Sequence, residues 1–158
     1  MAEKDFDLKG ALEYAIHAEI QANEFYKVWA DNVTSQLTKK ELLELADWED
    51  SHRASLEKYY REAIGEPFKR NPNVVVDPAL QVQADEFKNY YSTLRVAAAA
   101  YLSEMKAADL YEKLQNKVTE EGAKKMFKEL AEMERSHMDY ALKRYNELRG
   151  ELEGKLML

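Results

Sequence analysis

Apolar residues recur at alternating steps of three and four along four stretches of the chain, the spacing of one buried face of an α-helix. The first stripe runs Leu12, Ala15 or Ile16, Glu19, Ala22, Tyr26 and Val33, and the second Leu42, Leu45, Glu49, His52, Leu56, Tyr59 and Ala63. The third carries Ala97, Ala100 or Tyr101, Glu104, Ala107, Tyr111 and Val118, and the fourth Phe127, Leu130, Glu134, His137, Ala141 and Leu148. Capping signals bound these stretches. A first helix is predicted from Asp7 to about Val33, and a second from Thr38, whose Thr-x-x-Glu to Glu41 reads as a capping box, to Ile64 with Gly65 as its stop. Ser92 can cap a third helix reaching about Val118, and a fourth begins between Thr119 and Ala123 and ends at Gly150.

The segment Gly65 to Tyr91 holds Pro67, Pro72 and Pro78, and reads as a crossover rather than a hairpin. Within it, Asp77-Pro78 is a good start for a short accessory helix through about Tyr90. Short links inside each pair and a long one between them predict an all-α four-helix bundle with one long crossover. The tail from Glu151 carries no clear signal and is expected to dock on a partner or fray.

The two halves repeat at an offset of 85 residues. Ala15, Ala22, Tyr26, Leu45, Ser51, Tyr60 and Gly65 recur as Ala100, Ala107, Tyr111, Leu130, Ser136, Tyr145 and Gly150, so the chain reads as a duplicated helix pair. The same offset relates Glu19 to Glu104 and Glu49-x-x-His52 to Glu134-x-x-His137. Packing alone can preserve a periodic repeat, but it does not explain acids on the inward stripes.

A chain of 158 residues is most naturally one domain. The net charge of −7 and pI near 5.1 oppose a nucleic-acid footprint. The absence of Cys excludes disulfides, thiolate chemistry and Cys-held metals from this chain, so electrons must come from outside it. The N-terminal MAEKDFDLKG lacks a signal-peptide core, and the longest apolar run, Val96 to Leu102, is too short to cross a bilayer, which predicts a cytoplasmic protein.

Burying one ionised carboxylate without a partner costs several kcal/mol, and folded domains are stable by only about 5–15 kcal/mol. Four inward Glu therefore require cations. No Lys or Arg shares their stripes, whereas two divalent ions would balance four carboxylates, with His52 and His137 completing the donors. Ala22 and Ala107, one turn beyond each lone Glu, leave room for ions and an exogenous ligand. Tyr26 and Tyr111, two turns beyond, are expected either to hydrogen-bond the ligands or to fill the core, and are the tyrosines that are candidates for a catalytic redox or proton role. His17, two positions before Glu19, is expected at the surface or an interface, and Glu24 and Asp109 at the surface.

With AEIQANEFY and SEMKAADLY as lone-Glu helices and WEDSH and MERSH as paired-ligand segments, the chain resembles the rubrerythrin-type members of the ferritin-like di-iron superfamily. The resemblance implies that Glu49 and Glu134 bridge two metals, that Glu19 and His52 complete one and that Glu104 and His137 complete the other. It implies two Fe ions, with Mn or Zn also compatible with the donors. It further implies reduction of hydrogen peroxide or dioxygen, an external electron-donor protein and a homodimer. Rubrerythrins proper carry a four-Cys rubredoxin-like domain and a further carboxylate three residues after the lone third-helix Glu; this chain has no Cys, and has Ala107 there. Iron oxidation and storage, a structural Zn-binding bundle and an oxygenase are the alternative readings.

Overall fold

The computed structural model describes residues 7–156, and the first six residues of the N-terminal reading lie outside them. Four long helices are present: α1 (Leu8–Asp31), α2 (Gln36–Ile64), α3 (Tyr90–Lys117) and α4 (Glu121–Leu156). Among the described residues there is no strand, and no helix is long and apolar enough to cross a membrane.

Asp7 caps α1 as expected, accepting a hydrogen bond from the Gly10 amide at 3.1 Å. Two other starts differ from the sequence reading. Helix α2 begins a turn earlier, capped by Ser35, because Glu41 is drawn away to Tyr140 and Arg144 on α4 and no Thr38–Glu41 box forms. Helix α3 is capped by Asn89, whose side chain accepts from the Tyr91 amide at 2.8 Å, which puts Ser92 inside the first turn.

The two repeat-related glycines part company. Gly65 ends α2 in the left-handed conformation, φ 88°, with its amide bonded to Arg61 O. Gly150 stays helical, and α4 continues to Leu156, so most of the tail expected to dock on a partner or fray is helix. Lys155 lies over the Tyr90 ring at 4.8 Å, tying that extension to the start of α3.

The crossover contains two short 3₁₀ turns, Pro78–Leu80 and Ala84–Phe87, in place of the expected accessory helix. Asp77 caps the first turn as its Asp-Pro signal suggests, but Gln81 turns extended as Leu80 buries into the bundle. The segment straps along α1. Gln21 grips it through Val74 O and the Val76 amide, and His17 accepts the Asn71 amide at Nε2 while Nδ1 faces Glu13 O. His17 is therefore buried against Phe68, correcting its assignment to the surface or an interface: the strap covers the face that helical spacing turns away from the bundle core.

Two apolar clusters show how the helices run. One joins Phe25, Tyr26 and Trp29 of α1 to Leu42 and Leu45 of α2, Val96, Ala97, Ala99 and Ala100 of α3 and Ala141 of α4. The other joins Leu12 and Ile16 to Leu56, Tyr60, Tyr111, Leu114, Phe127 and Leu130. The end of α1 thus meets the start of α3, and the start of α2 meets the end of α4, so both cross-pairs are antiparallel. At the end of α2 the buried stripe passes through Tyr60, which leaves Ala63 exposed. The layer between the clusters is polar.

Candidate metal centre

Glu19 on α1, Glu49 and His52 on α2, Glu104 on α3, and Glu134 and His137 on α4 are all buried in this layer. Each Glu-x-x-His pair spans one helical turn, so one helix face delivers both donors together. The six side chains form two overlapping groups: Glu19, Glu49, His52 and Glu134; and Glu49, Glu104, Glu134 and His137. In each, one ligand atom per residue lies within 4.8 Å of all the others. Glu49 and Glu134 belong to both groups.

Both imidazoles turn Nδ1 inward. His52 Nδ1 stands 3.0 Å from Glu134 Oε1 and 3.5 Å from Glu19 Oε1; His137 Nδ1 stands 2.8 Å from Glu49 Oε1 and 3.4 Å from Glu104 Oε2. The rings are nearly parallel, 5.9 Å apart. The helix-pair duplication thus reappears as a pseudo-twofold arrangement of donors.

Hydrogen bonding does not account for this packing. Glu19 Oε2, Glu49 Oε1, Glu134 Oε2 and His137 Nδ1 are buried without a hydrogen-bond partner. The 2.8 Å approach of His137 to Glu49 is close in distance but not aligned as a hydrogen bond. Buried polar atoms are rarely left this way, and four in one layer, all from oxygen and imidazole donors, fit cation ligands.

The protonation energetics agree. Burial, with the Glu104, Glu134 and Glu19 carboxylates beside it, pushes Glu49 well above the usual carboxylate range. Burial with Glu104 and Glu19 does the same to Glu134. For Glu19, burial acts upward, but contacts with Glu49, His52 and Tyr111 outweigh it and its pKa falls. Burial works against a charged His137, yet Glu104 and Glu49 carry it up to about 10. Protons thus collect where divalent cations would neutralise the same charge.

The tyrosines are crossed between helices. Tyr26 of α1 donates its hydroxyl proton to Glu104 of α3, and Tyr111 of α3 donates to Glu19 of α1. Burial and the surrounding carboxylates raise both phenols well above their ordinary value, so the hydroxyls remain donors. The repeat singled out both residues but could not show that each serves the opposite helix.

A cavity of about 30 Å³ reaches the four carboxylates between α1 and α3. Ala18, Ala22 and Ala107 keep it open, and Val76 and Asp77 of the strap roof it, with Asp77 paired to Lys106 at 3.4 Å. The room expected at Ala22 and Ala107 is there, while the roof was not legible in the spacing. Sequence reasoning also missed Met133, whose Sδ lies 3.2 Å from His52 Nε2, although it immediately precedes Glu134. Glu24 and Asp109 are exposed, as expected.

Fold and site together define a ferritin-like four-helix bundle with a buried carboxylate–histidine centre able to hold metal ions. The chain belongs to the rubrerythrin family, whose family model matches residues 10–145. It is similar to a solved structure of a hypothetical protein from Pyrococcus furiosus, with 34% identity, 92% of each chain covered and a TM-score of 0.83. No curated protein matches it.

Proposed function

We propose that the protein is a non-haem di-iron oxidoreductase that reduces hydrogen peroxide or dioxygen with electrons from a separate donor. The observation that carries this reading is the pair of overlapping four-donor groups sharing Glu49 and Glu134, with buried ligand atoms that lack hydrogen-bond partners. Glu19, Glu49, His52 and Glu134 would hold one iron, and Glu49, Glu104, Glu134 and His137 the other. When bound, the iron pair supplies the electrons that reduce the oxidant.

The chain's own residues govern access, orientation and protons. The 30 Å³ cavity has room for a species of a few heavy atoms, which favours peroxide or dioxygen over an organic substrate. The hydroxyl protons of Tyr26 and Tyr111 stay on their oxygens, fixing the Glu104 and Glu19 carboxylates and limiting the rotamers open to them. Phe25, Trp29, Phe127 and their neighbours close the layer above and below, excluding bulk water from the buried charges.

Single-turnover oxidation tests the reading. Protein loaded anaerobically with Fe(II) should consume one equivalent of hydrogen peroxide for every two Fe oxidised. Bound iron that peroxide leaves unchanged would contradict it.

A further inference from the structure

The cavity between α1 and α3 reaches the centre from one side only. On the opposite side, between α2 and α4, two further cavities of about 370 and 390 Å³ flank Trp48, one reaching His137 and the other His52. Because His52 turns Nδ1 toward the carboxylates, its outer edge faces this groove, where Nε2 contacts the Met133 thioether at 3.2 Å. Trp48 is 47% exposed on the same surface. Exposed aromatic and methionine side chains are favoured anchors of protein contacts. Around them stand Glu44 and Glu132, together with Glu41, which pairs with Arg144, and Glu129, which pairs with Lys125, and among the described residues no Lys or Arg lines either cavity. A second copy seated here would set these carboxylates against their own kind; a basic partner would not.

Resting on the di-iron reading above, we propose that the α2–α4 groove is the docking site of a small redox protein with a basic rim around its redox group. Electrons enter over the Met133–His52 edge, while the oxidant enters on the α1–α3 side. For each hydrogen peroxide reduced to two waters, the donor loses two electrons in two one-electron steps, and two protons come from solvent. Separate entrances keep the donor's redox group away from the oxidant channel.

The test uses the iron-loaded full chain, first oxidised with one equivalent of peroxide. It is then reduced with methyl viologen radical cation or with its sulfonatopropyl analogue, which carries the opposite net charge. The double substitution Glu44→Lys with Glu132→Lys should slow reduction by the cation roughly tenfold at low ionic strength, flatten its salt dependence and leave the peroxide step unchanged. Asp31→Lys with Asp109→Lys makes the same change in net charge on α1 and α3 and should leave the cation's rate near that of the parent. Equal slowing by both double variants would overturn the groove assignment. A stable dimer in which Trp48 is shielded from acrylamide quenching would also overturn it, giving the groove to a second copy. Failure of the peroxide step, seen before any viologen is added, would instead remove the di-iron reading and this proposal with it.

Discussion

The Tyr111 hydroxyl on α3 donates its hydrogen bond to the Glu19 carboxylate on α1, so a residue of one repeat fixes a candidate metal-binding acid of the other. Tyr26 and Glu104 make the reciprocal contact. Neither half of the duplication completes the centre alone.

Removing one of these hydroxyls leaves a buried carboxylate short of a donor. Tyr111→Phe or Tyr26→Phe should each destabilise the metal-free protein by about 1.5–3 kcal/mol, the usual worth of a hydrogen bond to a charged group. Metal affinity should fall roughly 10–100-fold, as when ligand-orienting contacts are lost elsewhere. Chemical denaturation and Fe(II) titration of each variant check both.

The metal-free protein should lose stability as pH rises. His137 holds its proton up to about 10 in the folded chain, against 6.5 when unperturbed, so between those values the folded state binds more protons than the unfolded one. Its contribution is complete below pH 6.5 and disappears as pH passes 10. Glu49 and Glu134, both raised, act in the same direction from about 4.5 upward. Glu19, which is lowered, acts oppositely, and only in acid. Melting temperature in chelator should therefore fall from pH 6.5 to 10, and bound metal should flatten the slope by replacing the protons.

Filling the cavity between α1 and α3 should separate binding from reaction. Ala107→Leu places bulk in the cavity beside Glu104 and Tyr111. Iron content should hold while peroxide oxidation slows roughly tenfold, about 1.4 kcal/mol of barrier. Stopped-flow absorbance after anaerobic loading measures it.

The equivalent glycines should respond with opposite signs. At Gly65, φ 88° is costly for any side chain, and Gly65→Ala should destabilise by about 1–2 kcal/mol. Gly150 is helical with open space where a Cβ would stand, so Gly150→Ala should stabilise by about 0.5–1 kcal/mol. Thermal melts of the two variants decide it.

That contrast also marks how far the sequence could be read. Helical spacing and the 85-residue offset brought Glu19, Glu49, His52, Glu104, Glu134 and His137 to one layer, because burial of a stripe is periodic and local. Features that depend on a distant partner were not legible. Glu41 left its capping box for Tyr140 and Arg144, Gly150 lost its stop to the continuing α4, and Leu80 drew Gln81 out of an accessory helix. His17 looked external because its true neighbour, the strap at Asn71, lies 54 residues away in sequence. The roof at Asp77 likewise exists only once the crossover is in place.

Anaerobic titration of the metal-free protein with Fe(II), followed by metal analysis after desalting, tests the central claim most directly. Two overlapping donor groups predict two iron ions per chain, with Glu49→Ala, which removes a shared donor, weakening both. One ion or fewer per chain at saturation, or a Glu49→Ala variant that still binds two with parent affinity, would contradict a two-metal centre built on Glu49 and Glu134.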